Sequence, residues 1–476
     1  MVFSSVLFLF LFLPVVVSVY HASPRFARNL WLLAASLFFY AWGETFYVGV
    51  MLVSVLANYG LGLAADRFRG GPFGGRILLL TVLLNLGMLG VFKYANFIAD
   101  NVNVALATLG LATVELSPVH LPIGISFFTF QAMSYVIDVY RGQARVERNP
   151  FNVALYIALF PQLIAGPIVR YQDVADQIRE RSTSADLFAQ GIRRFVIGLG
   201  KKVLIANLVA VPADAIFQLP ASELTTGLAW LGTICYTLQI YFDFSGYSDM
   251  AIGLGLMFGF RFLENFQWPY IARSIKEFWR RWHISLSTWF RDYLYLPLGG
   301  NRHGNLRTYF NLVTVFFLCG LWHGASWSFV VWGLYHGAFL VFERTRAGAV
   351  VDRMPRPLQH GYTLIVVMIG WVFFRHETLP GALHHLAAMA GFDGGAVPLY
   401  PVGYYLQYDL CLALALGIFG ATPWLPALAV WYERQDSPAL RRAGDIALIA
   451  APLAVLYCAA VVLSAGTHNP FIYFRF

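Results

Sequence analysis

The chain has 476 residues, of which 58% are hydrophobic and 12% charged, and its mean hydropathy is +0.62. A soluble globular protein carries about 25% charged residues. Half that fraction leaves too little polar surface to keep so long a chain in water, so a soluble domain is excluded and a bilayer must be the solvent. The formal net charge of +8 would suit nucleic acid on a soluble domain. Here Lys and Arg sit between apolar runs, where orientation signals belong, and no basic run interleaved with aromatics resembles a nucleic-acid surface.

Stretches of ~20 apolar residues mark transmembrane helices, and roughly ten to twelve qualify by that measure. They are continuously apolar, which predicts helices rather than a barrel. Residues 2–20 have no Lys or Arg ahead of them, unlike a cleavable signal peptide, and are expected to be a retained first span. Residues 29–42, 46–65 and 77–92 follow. Their connections carry Arg25 and Arg28, then Glu44, then Arg67, Arg69 and Arg76. This alternation predicts cytoplasmic first and third connections and an N-terminus outside.

Next come 121–140, 151–169, 203–217, 228–241 and 250–260. Residues 269–301 break the pattern, with Arg273, Lys276, Glu277, Arg280, Arg281, Arg291 and Asp292 among many aromatics. That stretch is too charged to span and too aromatic for a free loop, so an interfacial or re-entrant element is expected. Spans resume at 310–322, 327–342, 362–374, 405–419 and 446–463, some short enough for tilted or broken helices. Cys235, Cys319, Cys411 and Cys458 lie far apart in apolar stretches, without metal or redox spacing, and read as packing residues. There is no internal repeat or long linker, and residues 1–476 read as one membrane domain.

Polar residues inside apolar segments are costly and face a bundle interior or a water-filled cavity. The sharpest case is Leu321-Trp322-His323-Gly324, at the end of the apolar run 309–320. An imidazole there can take a proton near neutral pH, the service that acyl transfer from a thioester to a hydroxyl requires. The alternative is a histidine hydrogen-bonded across helices.

In Trp279-Arg280-Arg281-Trp282-His283, Arg280 and Arg281 can hold the phosphates of a nucleotide-containing donor such as coenzyme A. Anchorage to anionic lipid competes with that role, and is the favoured reading of the arginines taken by themselves. His283 alone would be an ordinary interfacial histidine; it gains interest as a partner to His323.

In Tyr241-Phe242-Asp243-Phe244-Ser245-Gly246-Tyr247-Ser248-Asp249, Asp243 can orient a histidine, bind a sugar hydroxyl or cap a helix starting near Met250. Ser248 and Asp249 read as caps of that helix. The stretches 121–131, ending in Gln131, and 160–167 carry Pro and Gly inside spans, which suits channel lining or, more simply, close helix packing. His336 reads as a packing or hydrogen-bonding histidine. His303, His360, His384 and His385 fall in apparent loops. No Walker loop, dinucleotide fingerprint, HExxH or GxSxG elbow is present, which disfavours an ATPase, a metalloprotease and a serine hydrolase.

Taken together, LPIGISFFTFQAMSYVIDVYRG (121–142), FPQLIAGPIVRY (160–171), YFDFSGYSDMAIGLGLMFGF (241–260), EFWRRWHISLSTWFRDYLYLPLGGNR (277–302) and GLWHGASW (320–327) resemble the membrane-bound O-acyltransferase family. The resemblance is strongest to its bacterial alginate O-acetylation branch. The opening residues and the closing stretch 469–474 resemble that branch too, whereas 381–442 carries no family block. The resemblance implies an all-α polytopic bundle around a central tunnel, with the family's catalytic histidine at His323 and its second position at His283. It implies no tightly bound cofactor. Acetyl-CoA would be the donor on the cytoplasmic side, with an exopolysaccharide acceptor and periplasmic acetyltransferase partners on the other, in a bacterial inner membrane.

On that basis His323 is expected to act as general base and His283 to orient or polarise a reactant. Trp322, Asp243, Arg280, Arg281 and Gln131 are expected among the substrate-binding residues. Other expectations stay open: a transporter or flippase of an acyl group or lipid-linked sugar, a relative that acylates teichoic acid or protein, or a scaffold for a periplasmic complex. The first would carry inverted halves with matching broken helices, and none is visible; the last leaves both histidines without a role.

Overall fold

The computed structural model describes residues 1–435, 437–466, Asn469 and Ile472. Of the closing family block 469–474, all but Asn469 and Ile472 therefore lies outside the described residues. Among the described residues the protein is all-α, with no strand.

Among the described residues, five helices are long and apolar enough to cross a bilayer: Val48–Arg67, Gly74–Thr108, Ala185–Phe217, Arg356–Arg375 and Pro438–Ser464. The pair Tyr408–Gly420 and Trp424–Glu433, bent by 61°, makes a sixth if counted as one span. This is fewer than the expected apolar runs. Helices need apolar side chains against one another as well as against lipid, so an apolar run does not fix a full crossing. Residues 327–342, for example, form a helix of 16 residues, and residues 151–169 break into Pro150–Ala158 and Phe160–Leu163.

Two further boundaries differ. The expected span 203–217 is the end of a longer run, in which Ala185–Gly200 continues through the π-turn Lys201–Ala206 into Asn207–Phe217. Arg193, Arg194, Lys201 and Lys202 disguise its first half as a loop. The expected spans 228–241 and 250–260 are one helix, Thr226–Met257, and Ser248 and Asp249 lie inside it rather than capping a new one. Their polar groups are satisfied by neighbours: Ser248 Oγ accepts from Asn265 at 3.0 Å, and Asp249 accepts from Arg194 at 2.7 Å and Lys201 at 2.6 Å.

The chain forms two compact units. The first comprises Met1–Ile192 with Ala251–Leu263. Its central helix is Ile125–Arg141, buried continuously from Ile125 to Val139 and packed on Val48–Arg67 and Gly74–Leu89. Gly62 permits that contact, since a Cβ there would lie 2.3 Å from the Tyr135 ring. The two Gly/Pro stretches meet here. Gly124 precedes the helix at φ +77°, and a Cβ on it would fall 2.8 Å from the Leu163 carbonyl oxygen. Buried polar groups pair internally, as membrane burial demands. Asn58 and Asn85 exchange side-chain bonds of 3.1 and 2.8 Å, and the Tyr156 hydroxyl donates to the Val169 carbonyl at 2.8 Å.

The second unit comprises Arg193–Met250 with Glu264–Phe476. Within it the helices from Ala185 and Thr226 touch backbone to backbone at Gly198 and Gly246, where a Cβ on either would lie within 2.7 Å of the other's carbonyl oxygen. Small residues allow this in membranes. Charged pairs flank the crossing. Lys202 meets Asp243 at 2.7 Å, Lys201 and Arg194 both meet Asp249 at 2.6 Å, and Arg194 also holds Glu264 at 2.6 Å. Beyond them Gly304–His323 and Trp327–Phe342 form a helical hairpin, on which Arg356–Arg375 packs. His360 lies on Arg356–Arg375, and His384 and His385 on the helix Leu379–Met389, rather than in loops. His385 is buried, with Thr233 Oγ1 and the Ala229 carbonyl each 3.1 Å from Nε2.

Candidate active site

The element expected to be interfacial is a string of short helices and turns in the second unit: the 3-10 turn Pro269–Ile271, the α-helices Ile275–Arg281 and Ile284–Phe290, and the π-turn Arg291–Tyr295. Its first amphipathic helix starts at a side-chain cap, Ser274 accepting from the Glu277 amide at 3.0 Å. Glu343, from the end of the helical hairpin, accepts the amides of Ile275 at 2.6 Å and Lys276 at 3.0 Å. A carboxylate at a helix N-terminus both fills orphan donors and opposes the helix dipole. Glu277 in turn takes Arg281 at 2.9 Å, and Arg281 also donates to the Gln267 carbonyl at 3.0 Å. Arg280 is exposed and makes no ion pair among the described residues.

His283 sits in the bend between Ile275–Arg281 and Ile284–Phe290, at φ 43° and ψ 54°. A non-glycine residue held there costs on the order of 1–3 kcal/mol, and such outliers gather at functional sites. The ring is completely buried. Its Nδ1 lies 3.2 Å from Asn265 Oδ1, an oxygen that also accepts from the Ser285 amide at 3.2 Å and the Ser285 hydroxyl at 2.9 Å. Phe244 meets the ring edge-on at 4.6 Å.

His323 is the last residue of Gly304–His323 and is 3% exposed. The helix ends because Gly324 turns extended, against the Phe329 ring, where no side chain would fit. Gly320 and Gly333 bring the two arms of the hairpin together, their Cα positions leaving no room for a Cβ. The hairpin thus fixes His323 inside an aromatic shell, with ring centroids of Trp322, Trp332 and Phe374 at 4.9, 5.0 and 5.2 Å. The His283 and His323 rings lie 6.4 Å apart, centroid to centroid, and Trp322 is 6.1 Å from His283.

The structure therefore brings His283, His323 and Trp322 together from chain positions forty residues apart. Asp243 is elsewhere engaged: Lys202 occupies one oxygen and the Ile472 amide donates to the other at 2.8 Å. Gln131 is a buried residue of the first unit, with no hydrogen-bond partner for its amide among the described residues. Sequence reasoning passed over Asn265, Trp332 and Phe374. Asn265 stood at the edge of an apolar run, a polar residue flanked by Glu264 and Phe266, and that was its only signal.

Two buried imidazoles within one aromatic enclosure, one on a strained bend and one at a helix end, can handle a proton away from bulk water. A profile of the membrane-bound O-acyltransferase family matches residues 142–374, a span holding both histidines. A probable alginate O-acetylase, AlgI, of Azotobacter vinelandii is 45% identical over 504 residues, covering the whole of both chains. A peptidoglycan O-acetyltransferase of Helicobacter pylori is 38% identical over 430 residues, covering 83% of this chain and 80% of its own. A teichoic acid D-alanyltransferase of Bacillus subtilis is 33% identical over 235 residues, covering 46% and 58% respectively. The chain belongs to the membrane-bound O-acyltransferase family. It is a membrane-embedded O-acyltransferase, similar along its whole length to alginate O-acetylases.

Proposed function

We propose that this enzyme takes an acetyl group from cytoplasmic acetyl-CoA and delivers it across a bacterial inner membrane for O-acetylation of an exopolysaccharide of the alginate type. Delivery is direct or through a periplasmic acetyltransferase partner. Full-length similarity to alginate O-acetylases supports the acceptor class. The observation that carries the chemistry is the pair of buried histidine rings 6.4 Å apart.

In this proposal His323 is the general base. It removes the proton of the acceptor hydroxyl, or of a partner's serine, as that oxygen attacks the thioester carbonyl and the coenzyme A thiolate leaves. His283 orients one reactant, and Trp322 forms part of the wall against which the acyl group lies. Arg280, exposed and without an ion pair among the described residues, suits the donor's phosphates, whereas Arg281 is committed to Glu277 and serves chiefly to hold the amphipathic helix. Enclosure by Trp332 and Phe374 keeps water from the thioester. Asp243, bound to Lys202, acts through structure rather than by touching sugar.

The test is label transfer from radiolabelled acetyl-CoA by the purified enzyme in lipid nanodiscs, with candidate polymer and candidate periplasmic partner. Loss of transfer in folded His323→Ala, with the labelled acceptor identified, is the expected result. Unchanged transfer in His323→Ala and His283→Ala would refute the histidine mechanism. Label appearing on teichoic acid or protein instead would correct the acceptor.

A further inference from the structure

We propose that Asn265 is a positioning residue that fixes His283 in the tautomer protonated on Nδ1, so that Nε2 faces the reactants as a hydrogen-bond acceptor. This deepens the proposed function and rests on it for the role of His283 in transfer; the tautomer itself follows from local geometry.

The main-chain N–H of Ser285 can only donate, so the Asn265 atom 3.2 Å from it is the amide oxygen, whichever way the amide would otherwise be placed. The other end of the amide, Nδ2, donates to Ser248 Oγ at 3.0 Å. An amide oxygen has no proton to give. The ring nitrogen 3.2 Å from it, His283 Nδ1, must therefore carry the hydrogen. A neutral imidazole has one N–H, so Nε2 keeps its lone pair.

The Ser285 hydroxyl lies 3.4 Å from Nδ1 and 2.9 Å from the same amide oxygen; its single hydrogen goes to the nearer oxygen, which leaves Nδ1 to donate rather than accept. Asn265 grips the backbone as well, since its carbonyl accepts the Ile284 amide at 3.0 Å. One residue thus secures both the bend at φ 43° and the ring upon it. Nε2 is buried and has no hydrogen-bond partner among the described residues. It is therefore available to an O–H or N–H of a reactant, such as the acceptor hydroxyl or an amide of the donor's pantetheine arm. It cannot supply a hydrogen to the thioester oxygen while the ring is neutral, and this divides the labour of the pair: His283 receives a hydrogen bond and orients, and His323 moves the proton.

Nitrogen-15 NMR of histidine-labelled full-length enzyme in nanodiscs reads the tautomer directly, with the His283 signals assigned by their loss in His283→Gln. The wild type should show the proton on Nδ1, and Asn265→Leu should lose that preference. In the transfer assay Asn265→Leu should lower kcat by about 10–100-fold, by analogy with the cost of removing the partner that orients a metal-bound histidine, with little change in KM. Asn265→Asp should keep transfer within a few-fold, the Ser248 hydroxyl turning to donate. It should also move the acid limb of the pH–rate profile upward, because a carboxylate favours the imidazolium form.

A wild-type proton on Nε2, or an unchanged tautomer in Asn265→Leu, would overturn the proposal. If Asn265→Leu does not fold, the wild-type spectrum and the Asp variant decide. Transfer that survives His283→Gln unchanged would remove the role of His283 in the reaction while the spectrum still decides the tautomer, so the two failures are distinguishable.

Discussion

Lys202 and Asp243 meet at 2.7 Å with side chains only 3% and 1% exposed, joining the π-turn Lys201–Ala206 to the middle of the helix Thr226–Met257. Removing one partner strands the other charge. Lys202→Met is expected to cost about 3–5 kcal/mol, the usual effect of breaking a buried pair from one side. Lys202→Met with Asp243→Leu should recover much of the loss. Thermal unfolding in detergent checks this; a double variant no more stable than the worse single one would show that the two charges are not coupled.

The hairpin that carries His323 is set by glycine. A Cβ on Gly320 would lie 2.3 Å from the Phe329 carbonyl oxygen, whereas one on Gly361 meets nothing within 4 Å. Gly320→Ala must push the arms apart three residues before His323. It is expected to lower acyl transfer at least 10-fold while the enzyme still reaches the membrane, since small displacements of a reacting group are expensive. Gly361→Ala should be neutral. Equal activity in the two variants would separate the hairpin crossing from the site.

Gly124 combines a left-handed backbone with a carbonyl 2.8 Å from any Cβ. Gly124→Ala is therefore expected to destabilise the first unit by roughly 1–3 kcal/mol, from the backbone conformation alone. Proteolytic sensitivity of the segment between Gly124 and Leu163 is the direct measure, with Gly110→Ala, also left-handed but with open space around it, as the comparison that isolates the steric part.

Glu277 gives the amphipathic helix a pH dependence. Burial works to raise its carboxyl, but the Arg273 amide and the Arg281 and Arg273 guanidinium groups outweigh that and hold it below the usual carboxylate range. A carboxyl lower in the folded state stabilises fully above its unfolded value, and that contribution is lost as pH falls through the folded one. Amide exchange in Ile275–Arg281, corrected for its intrinsic pH dependence, should therefore show protection falling toward acid pH. Glu277→Gln should flatten that response; an unaltered profile would place the acid sensitivity elsewhere.

Much of the helical architecture is legible in apolar run length, because burial and lipid both demand the same side chains. The boundaries that sequence misplaces are those where charges are paired out of sight. Arg194, Lys201 and Lys202 look like a loop until Asp249 and Asp243 are seen opposite them. Those two aspartates in turn look like a helix break until the cations are in place. The histidine pair is visible as two rare residues in aromatic motifs. Its support is not: Asn265 carries no spacing signal, and its importance arises from a bend that brings residue 283 back onto residue 265. Trp332 and Phe374 read as ordinary core until the hairpin closes around His323.

The charges at the Gly198–Gly246 crossing have an electrical consequence. Arg194, Lys201 and Lys202 are set against Asp243, Asp249 and Glu264, so the group as a whole is neutral. An elementary charge carried through a membrane voltage changes energy by about 2.3 kcal/mol per 100 mV, but a neutral group displaced as one body gains nothing from the field. Three unbalanced cations displaced through the membrane would each feel that voltage; balanced in this way they lock two helices, and a displacement of the whole group leaves no net charge for the field to act on.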